Sequence, residues 1–156
     1  MTRDRGKEFE LKFKKDFIRT VPDSSIDRIY DSVSGYKSVS NIADFICYKF
    51  PNLFFIELKS CKGASLPFLN ITQYDKLKDK VGILGVRAGV ILWLYEKDIV
   101  MYIPISTITK MKNDGKKSVG LKAIEEGYNI KIIPSVKKRV FMDSDYSCLL
   151  ELEEGE

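Results

Sequence analysis

Three apolar patterns organise the chain. Phe9, Phe13 and Phe17 recur at every fourth position, with Lys12, Lys14, Lys15 and Arg19 on the remaining faces. That spacing predicts an amphipathic helix over residues 4–20. From Asn41 to Ser60, two runs rich in aromatic and β-branched residues flank Pro51-Asn52, which predicts a β-hairpin. Residues 88–104 give the strongest strand signal: an apolar run, Glu-Lys-Asp as a turn, then Ile-Val-Met-Tyr-Ile-Pro as the partner strand.

The segments between are shorter. Val21-Pro22-Asp23-Ser24-Ser25 carries turn chemistry, and Ile26 to Val33 reads as a short strand or a turn. Ser34 to Ser40 is small and polar, a loop. Thr72 is a good N-cap for a helix over residues 73–81, and Ser106 caps another that ends before Gly115. Residues 119–126 read as a further short helix and 130–133 as a short strand. The order helix, short strand, hairpin, helix, hairpin (αβββαβ at its core) predicts a mixed central β-sheet flanked by helices rather than a doubly wound repeat. With no internal repeat and no linker, the expected organisation is a single domain over residues 1–142 with an acidic, flexible tail over 143–156.

Charge sharpens this picture. The net charge is +4, but every Lys and Arg precedes residue 143, so the first 142 residues carry +10 and the remainder −6. A basic body suits a polyanionic partner, although a solvated surface has the same composition. No apolar run approaches the ~18 residues of a membrane span, and the first residues lack the apolar stretch of a secretory signal. Three scattered cysteines, Cys47, Cys61 and Cys148, form no Cys-x-x-Cys pair, which fits small buried hydrophobes in a reducing cytoplasm. The absence of histidine excludes Ser-His-Asp and Cys-His catalysis and His-ligated zinc. No glycine-rich phosphate loop occurs, so a nucleotide cofactor has no support.

Any chemistry must then run on carboxylates, lysines and hydroxyls. Glu57 and Lys59, two apart on a strand, leave the same face, and Asp44 starts the facing strand, where pairing can bring it beside Glu57. A Glu-x-Lys pair alone is more often a solvent-facing charge pair. With Asp44 opposite, inside an otherwise apolar hairpin, a site is the better reading. Mg²⁺ takes oxygen ligands and often only one or two protein carboxylates. Asp44, Glu57 and the backbone carbonyl of Leu58 could supply them, with Mn²⁺ as a substitute, while Lys59 holds a water, acts as base or stabilises developing charge. Glu10 borders the phenylalanine stripe. It has a surface partner in Lys14, or it points into a cleft beside the sheet. Lys37, Ser38 and Ser40, together with Lys62 and Ser65, are candidate DNA contacts; a plain loop accounts equally for the first three.

Asp44 followed by Glu57-Leu58-Lys59 resembles the Asp…Glu-x-Lys signature of PD-(D/E)xK nucleases, with Ala43 where the motif name has Pro. The run from Glu57 through Ser65-Leu66-Pro67-Phe68 to Gln73 is similar to RecU-type Holliday junction resolvases, and Gly6-Lys7-Glu8-Phe9-Glu10 looks like the first-helix element of that family. The resemblance covers residues 5–105. It implies a restriction-endonuclease-like core, with Asp44 and Glu57 as metal ligands and Lys59 as the catalytic lysine. Glu10 would be a further carboxylate reaching the metal through water, and Gln73 would orient the lysine or a water. It also implies a homodimer acting on four-way DNA junctions in the cytoplasm of a bacterial or phage-infected cell. Two other readings remain open: another nuclease of the same fold (restriction-like, repair or end-processing), and a non-catalytic DNA-binding module.

Overall fold

A computed structural model describes residues 4–30, 32–34, 37–39 and 41–152. The first helix, α1 (Arg5–Thr20), starts at Asp4, whose side chain accepts a hydrogen bond from the Lys7 backbone N–H at 3.1 Å. Its Phe9, Phe13 and Phe17 are all buried, as the fourfold spacing predicts. Each contributes about 1.5–3 kcal/mol of apolar burial. After the turn come β1 (Ser25–Arg28), β2 (Ser32–Ser34), β3 (Lys37–Val39), β4 (Phe45–Lys49) and β5 (Asn52–Cys61). Then β6 (Ser65–Pro67), a 3-10 turn at Phe68–Asn70 and α2 (Tyr74–Lys78) lead to β7 (Val86–Leu94) and β8 (Ile99–Pro104). The remainder comprises α3 (Ile105–Asn113), β9 (Ser118–Gly120), α4 (Leu121–Glu125), β10 (Lys131–Ile132), β11 (Ser135–Lys138) and β12 (Phe141–Ser144). A 3-10 segment, Tyr146–Glu151, follows β12.

Six strands form one sheet in the order β1-β4-β5-β7-β8-β10. Only β5 and β7 pair in parallel; the other neighbours are antiparallel. The link between β5 and β7 carries β6 and α2 over one face, the crossover that a parallel pair requires. α1 covers the other face, where Phe13 meets Phe45 with ring centroids 5.1 Å apart and Phe9 meets Trp93 at 5.4 Å. Because β7 is covered on both sides, Ile91 and Trp93 enter the α1 core while Val90, Leu92 and Leu94 enter the other. That double burial explains its unbroken apolar run. The mixed α/β sheet flanked by helices agrees with the sequence expectation.

Several boundaries differ. The segment 26–33 contains an edge strand, β1, paired with β4, and β2–β3 form a small hairpin where a loop was expected. α2 starts one residue later than a Thr72 cap requires and ends at Lys78, and α3 begins at Ile105 with no side-chain cap from Ser106. The expected helix over 119–126 divides, because Val119 pairs with Leu66 in a β6–β9 ribbon and the helix begins only at Leu121. The tail boundary at 143 is also corrected. Asp143 and Ser144 belong to β12, and Tyr146 and Leu149 are buried against α1. Tyr146 packs on Phe13 at 4.9 Å, and the Ser144 N–H donates to the buried Asp16 carboxylate at 3.0 Å. Acidic composition concealed this docking because Leu149 and Tyr146 are spaced for one turn of packing and Lys12 of α1 pairs with Asp143. Among the described residues, no helix is long and apolar enough to cross a membrane.

Candidate active site

Alternation along β5 sorts its side chains. Phe54, Ile56 and Leu58 enter the α1 core, so Glu57 and Lys59 leave the opposite face, toward α2. The β4–β5 ladder ends at Phe45 opposite Ile56. Asp44 extends it by one step: its N–H donates to the Ile56 carbonyl at 3.0 Å, and its Oδ2 accepts the Leu58 N–H at 2.8 Å. A carboxylate therefore replaces the next β4 residue as partner for β5. The Leu58 carbonyl leaves the same edge as its N–H, toward the position where β4 has already ended.

Glu57 is 2% exposed, yet it is an acid. Its Oε1 lies 3.3 Å from the Lys59 ammonium, and its Oε2 is buried without a hydrogen-bond partner. Burial pushes the Glu57 carboxyl above the usual carboxylate range. The Lys59 charge and the Gln73 backbone N–H oppose that shift, while the neighbouring Asp44 adds to it. Asp44 is raised by the same cause, burial, against the pull of the Leu58 N–H and Arg28. Two carboxylates that each resist ionisation, one with an oxygen left unsatisfied, form a locus of concentrated negative potential suited to a cation.

Glu10 arrives from the other side of the sheet and does not join that pair. Its two oxygens are taken by Arg28, Nε to Oε2 at 2.9 Å and Nη2 to Oε1 at 3.1 Å. Arg28 in turn lies 3.9 Å from Asp44 Oδ1 and donates to the Asp44 carbonyl at 3.2 Å. Glu10 thus connects to Asp44 through Arg28, and its ion pair is with Arg28 rather than Lys14. Glu10 and Arg28 themselves line an open cavity of about 430 Å³, together with Leu11, Lys14, Tyr30 and Phe45. Arg28 is the residue that spacing does not reveal; it is placed by the pairing of Arg28 with Phe45 across β1 and β4.

The other expected residues distribute as follows. Gln73 stands at the N-cap of α2, where its backbone N–H favours the ionised form of Glu57. Lys62 is exposed and 4.0 Å from Glu96. Ser65 is exposed on β6 and lines a groove of about 380 Å³ with Lys116, Lys117 and Lys122. Ser40 lies outside the described residues, as do the side chains of Lys37 and Ser38 on β3.

Among the described residues, no three acids or thiols gather closely enough to form a metal cage. What fits a hard cation is a smaller donor set: Asp44, the orphaned Glu57 Oε2 and the Leu58 carbonyl, all oxygens. Mg²⁺ commonly keeps most of its waters and takes one or two carboxylates, so these residues are compatible with it.

No protein-family model matches the chain, and no curated protein matches it in sequence. Among solved structures, the chain resembles Hjc of Archaeoglobus fulgidus, a Holliday junction resolvase from an archaeal hyperthermophile. The TM-score is 0.57 at 16% identity, over 80% of this chain and 95% of that one. The mixed sheet with α1 on one face and the Asp44–Glu57–Lys59 cluster at the end of β4 is therefore built on a restriction-endonuclease-like fold, the fold of that resolvase.

Proposed function

We propose that the protein is a metal-dependent DNA endonuclease, and within that class a Holliday junction resolvase. The observation that carries this reading is the buried Glu57 carboxylate with an unpartnered oxygen, beside Asp44 and Lys59, on a fold shared with a resolvase. A buried acid of this kind is a burden to stability unless a cation meets it.

Asp44, Glu57 and the Leu58 carbonyl would hold Mg²⁺, with Mn²⁺ as a substitute. When bound, the ion supplies Lewis-acid stabilisation of charge at the scissile phosphate and makes water a better nucleophile. Lys59 donates from its ammonium to the water or to a phosphate oxygen, and Glu57 fixes where that ammonium sits. The Leu58 N–H holds Asp44 in one orientation. Arg28 keeps a guanidinium between Glu10 and Asp44, adding positive charge at the rim where the phosphate backbone would pass. Because a four-way junction is two-fold symmetric and one site nicks one strand, we propose that two copies act together. Three free thiols suit a reducing cytoplasm, the compartment we propose.

Incubation with a four-way junction and with linear duplex of matched length, in Mg²⁺, tests the reading. Paired symmetric nicks confined to the junction are expected, abolished by Asp44→Asn or Glu57→Gln. Sequence-specific duplex cutting would instead favour a restriction-like or repair nuclease. Binding without cleavage in either Mg²⁺ or Mn²⁺ would leave a DNA-binding module.

A further inference from the structure

The segment joining Glu57 to α2 contains a residue that the proposed chemistry does not use. Leu69 is 94% exposed, between two buried neighbours, Phe68 and Ile71. It does not sit on a slack loop. The Phe68 N–H donates to the Lys117 carbonyl at 2.9 Å, and the Ile71 N–H donates to the Phe68 carbonyl at 3.0 Å. Phe68 and Ile71 are anchored in the core on the α2 face of the sheet, so the turn is fixed from below while Leu69 projects. Folding gains nothing from an apolar side chain held out in this way. A single exposed leucine is ordinary on a protein surface, and what marks this one is its surroundings.

Those surroundings are basic and close to the catalytic pair. Leu69 precedes Gln73, whose backbone N–H meets Glu57, by four residues. Four residues span at most about 14 Å. On the other side, the β6–β9 ribbon places Ser65, Lys116, Lys117 and Lys122 around the 380 Å³ groove. There Glu126 pairs with Lys116 at 2.6 Å and leaves Lys117 and Lys122 to supply the positive charge. An apolar tip on a rigid mount, flanked by lysines, has the chemistry of a wedge inserted between base pairs while cations hold the adjoining phosphates.

We propose that Leu69 is a specificity residue that enters DNA at a branch point, with the lysine-lined groove of β6 and β9 guiding one of the arms. This rests on the nuclease reading and adds to it the feature of the substrate that is recognised. Stacked duplex resists the wedge, since opening a step requires unstacking. At a branch the stack is already interrupted, so the same side chain discriminates between the two. The spacing from Leu69 to Gln73 also places the scissile phosphate within about five nucleotides of the branch, at 3.4 Å per nucleotide along a strand.

The test compares the full chain with Leu69→Asn and Leu69→Phe, using a four-way junction with 2-aminopurine at the branch and a linear duplex of the same length. Affinities are measured in Ca²⁺ and nick positions in Mg²⁺. Circular dichroism confirms that these exposed-site variants are folded. The wild type should bind the junction at least about tenfold more tightly than the duplex and raise 2-aminopurine fluorescence, while Leu69→Asn should lose most of both. Leu69→Phe should retain them, and duplex affinity should be the same in all three. An unchanged junction preference and fluorescence in Leu69→Asn overturns the wedge, as do nicks mapping well beyond five nucleotides, and the nuclease reading survives either result. A wild type that binds and unstacks the junction but never cuts it overturns the nuclease reading and leaves the wedge standing. Binding to neither DNA overturns both.

Discussion

Arg28 and Glu10 form a two-point ion pair across the end of the sheet, at 2.9 and 3.1 Å, and the same guanidinium lies 3.9 Å from Asp44 Oδ1. The pair ties α1 to β1 and brings a positive charge beside an acid at the site. It also occupies both Glu10 oxygens with the Arg28 guanidinium.

This makes Glu10 and Arg28 act as a unit. Arg28→Ala should lower unfolding free energy by about 1–3 kcal/mol, because it strands a half-buried carboxylate. Lysine should rescue it poorly, since an ammonium cannot make the forked contact. In a double-mutant cycle with Glu10→Gln, the coupling should exceed about 1 kcal/mol. Glu10→Gln should reduce nicking far less than Asp44→Asn. Equal losses would mean that Glu10 meets the cation directly.

Glu57 should oppose stability in the absence of metal. Its folded-state pKa is raised by burial, so the stability it allows is full below the ordinary glutamate range and is lost as pH rises through the raised value. At neutral pH, Glu57→Gln should therefore stabilise the metal-free protein, by on the order of 1 kcal/mol or about 2–4 °C in Tm, while abolishing cleavage. Mg²⁺ should raise the Tm of the wild type and leave that of Glu57→Gln unchanged, as thermal denaturation would show. A variant less stable than the wild type would mean that Lys59 alone neutralises this carboxylate.

Residues 143–152 should prove structural. Tyr146→Ala removes a ring buried between Phe13 and Phe17 and should cost about 3–5 kcal/mol in denaturant unfolding. The Asp143 carboxyl is held below the usual range by its hydrogen bond from Lys12. Its contribution is thus present above the ordinary aspartate range and lost as pH falls through the depressed value. Asp143→Asn should destabilise at pH 7, and the difference from wild type should shrink as pH falls below the ordinary aspartate range and vanish only below the depressed value.

The groove depends on one close approach. A Cβ on Gly120 would collide with the Ala64 backbone carbonyl across the β6–β9 ribbon. Since backbone cannot yield as a side chain does, Gly120→Ala should cost about 1–3 kcal/mol. It should also weaken DNA binding through displacement of Lys116, Lys117 and Lys122. Gel-shift and melting measurements together check both effects.

What the chain determines locally was legible. The spacing of Phe9, Phe13 and Phe17 specified α1 and its buried face, and period-two alternation put Glu57 and Lys59 on one side of β5, because helix and strand geometry repeat within a few residues. The turn at Pro51-Asn52 then carried Asp44 to the end of the facing strand. Tertiary structure decided what joins positions distant in sequence. Arg28 reached Glu10 and Asp44 only once β1 had paired with β4. Gln73 came beside Glu57 only once α2 had packed on the sheet, and an acidic terminus became a docked strand because Lys12 and Asp16 on α1 were waiting for it. A periodic pattern encodes which face a side chain takes. It does not encode which charge will stand opposite, since that is set by the packing of elements whose relative placement no local repeat contains.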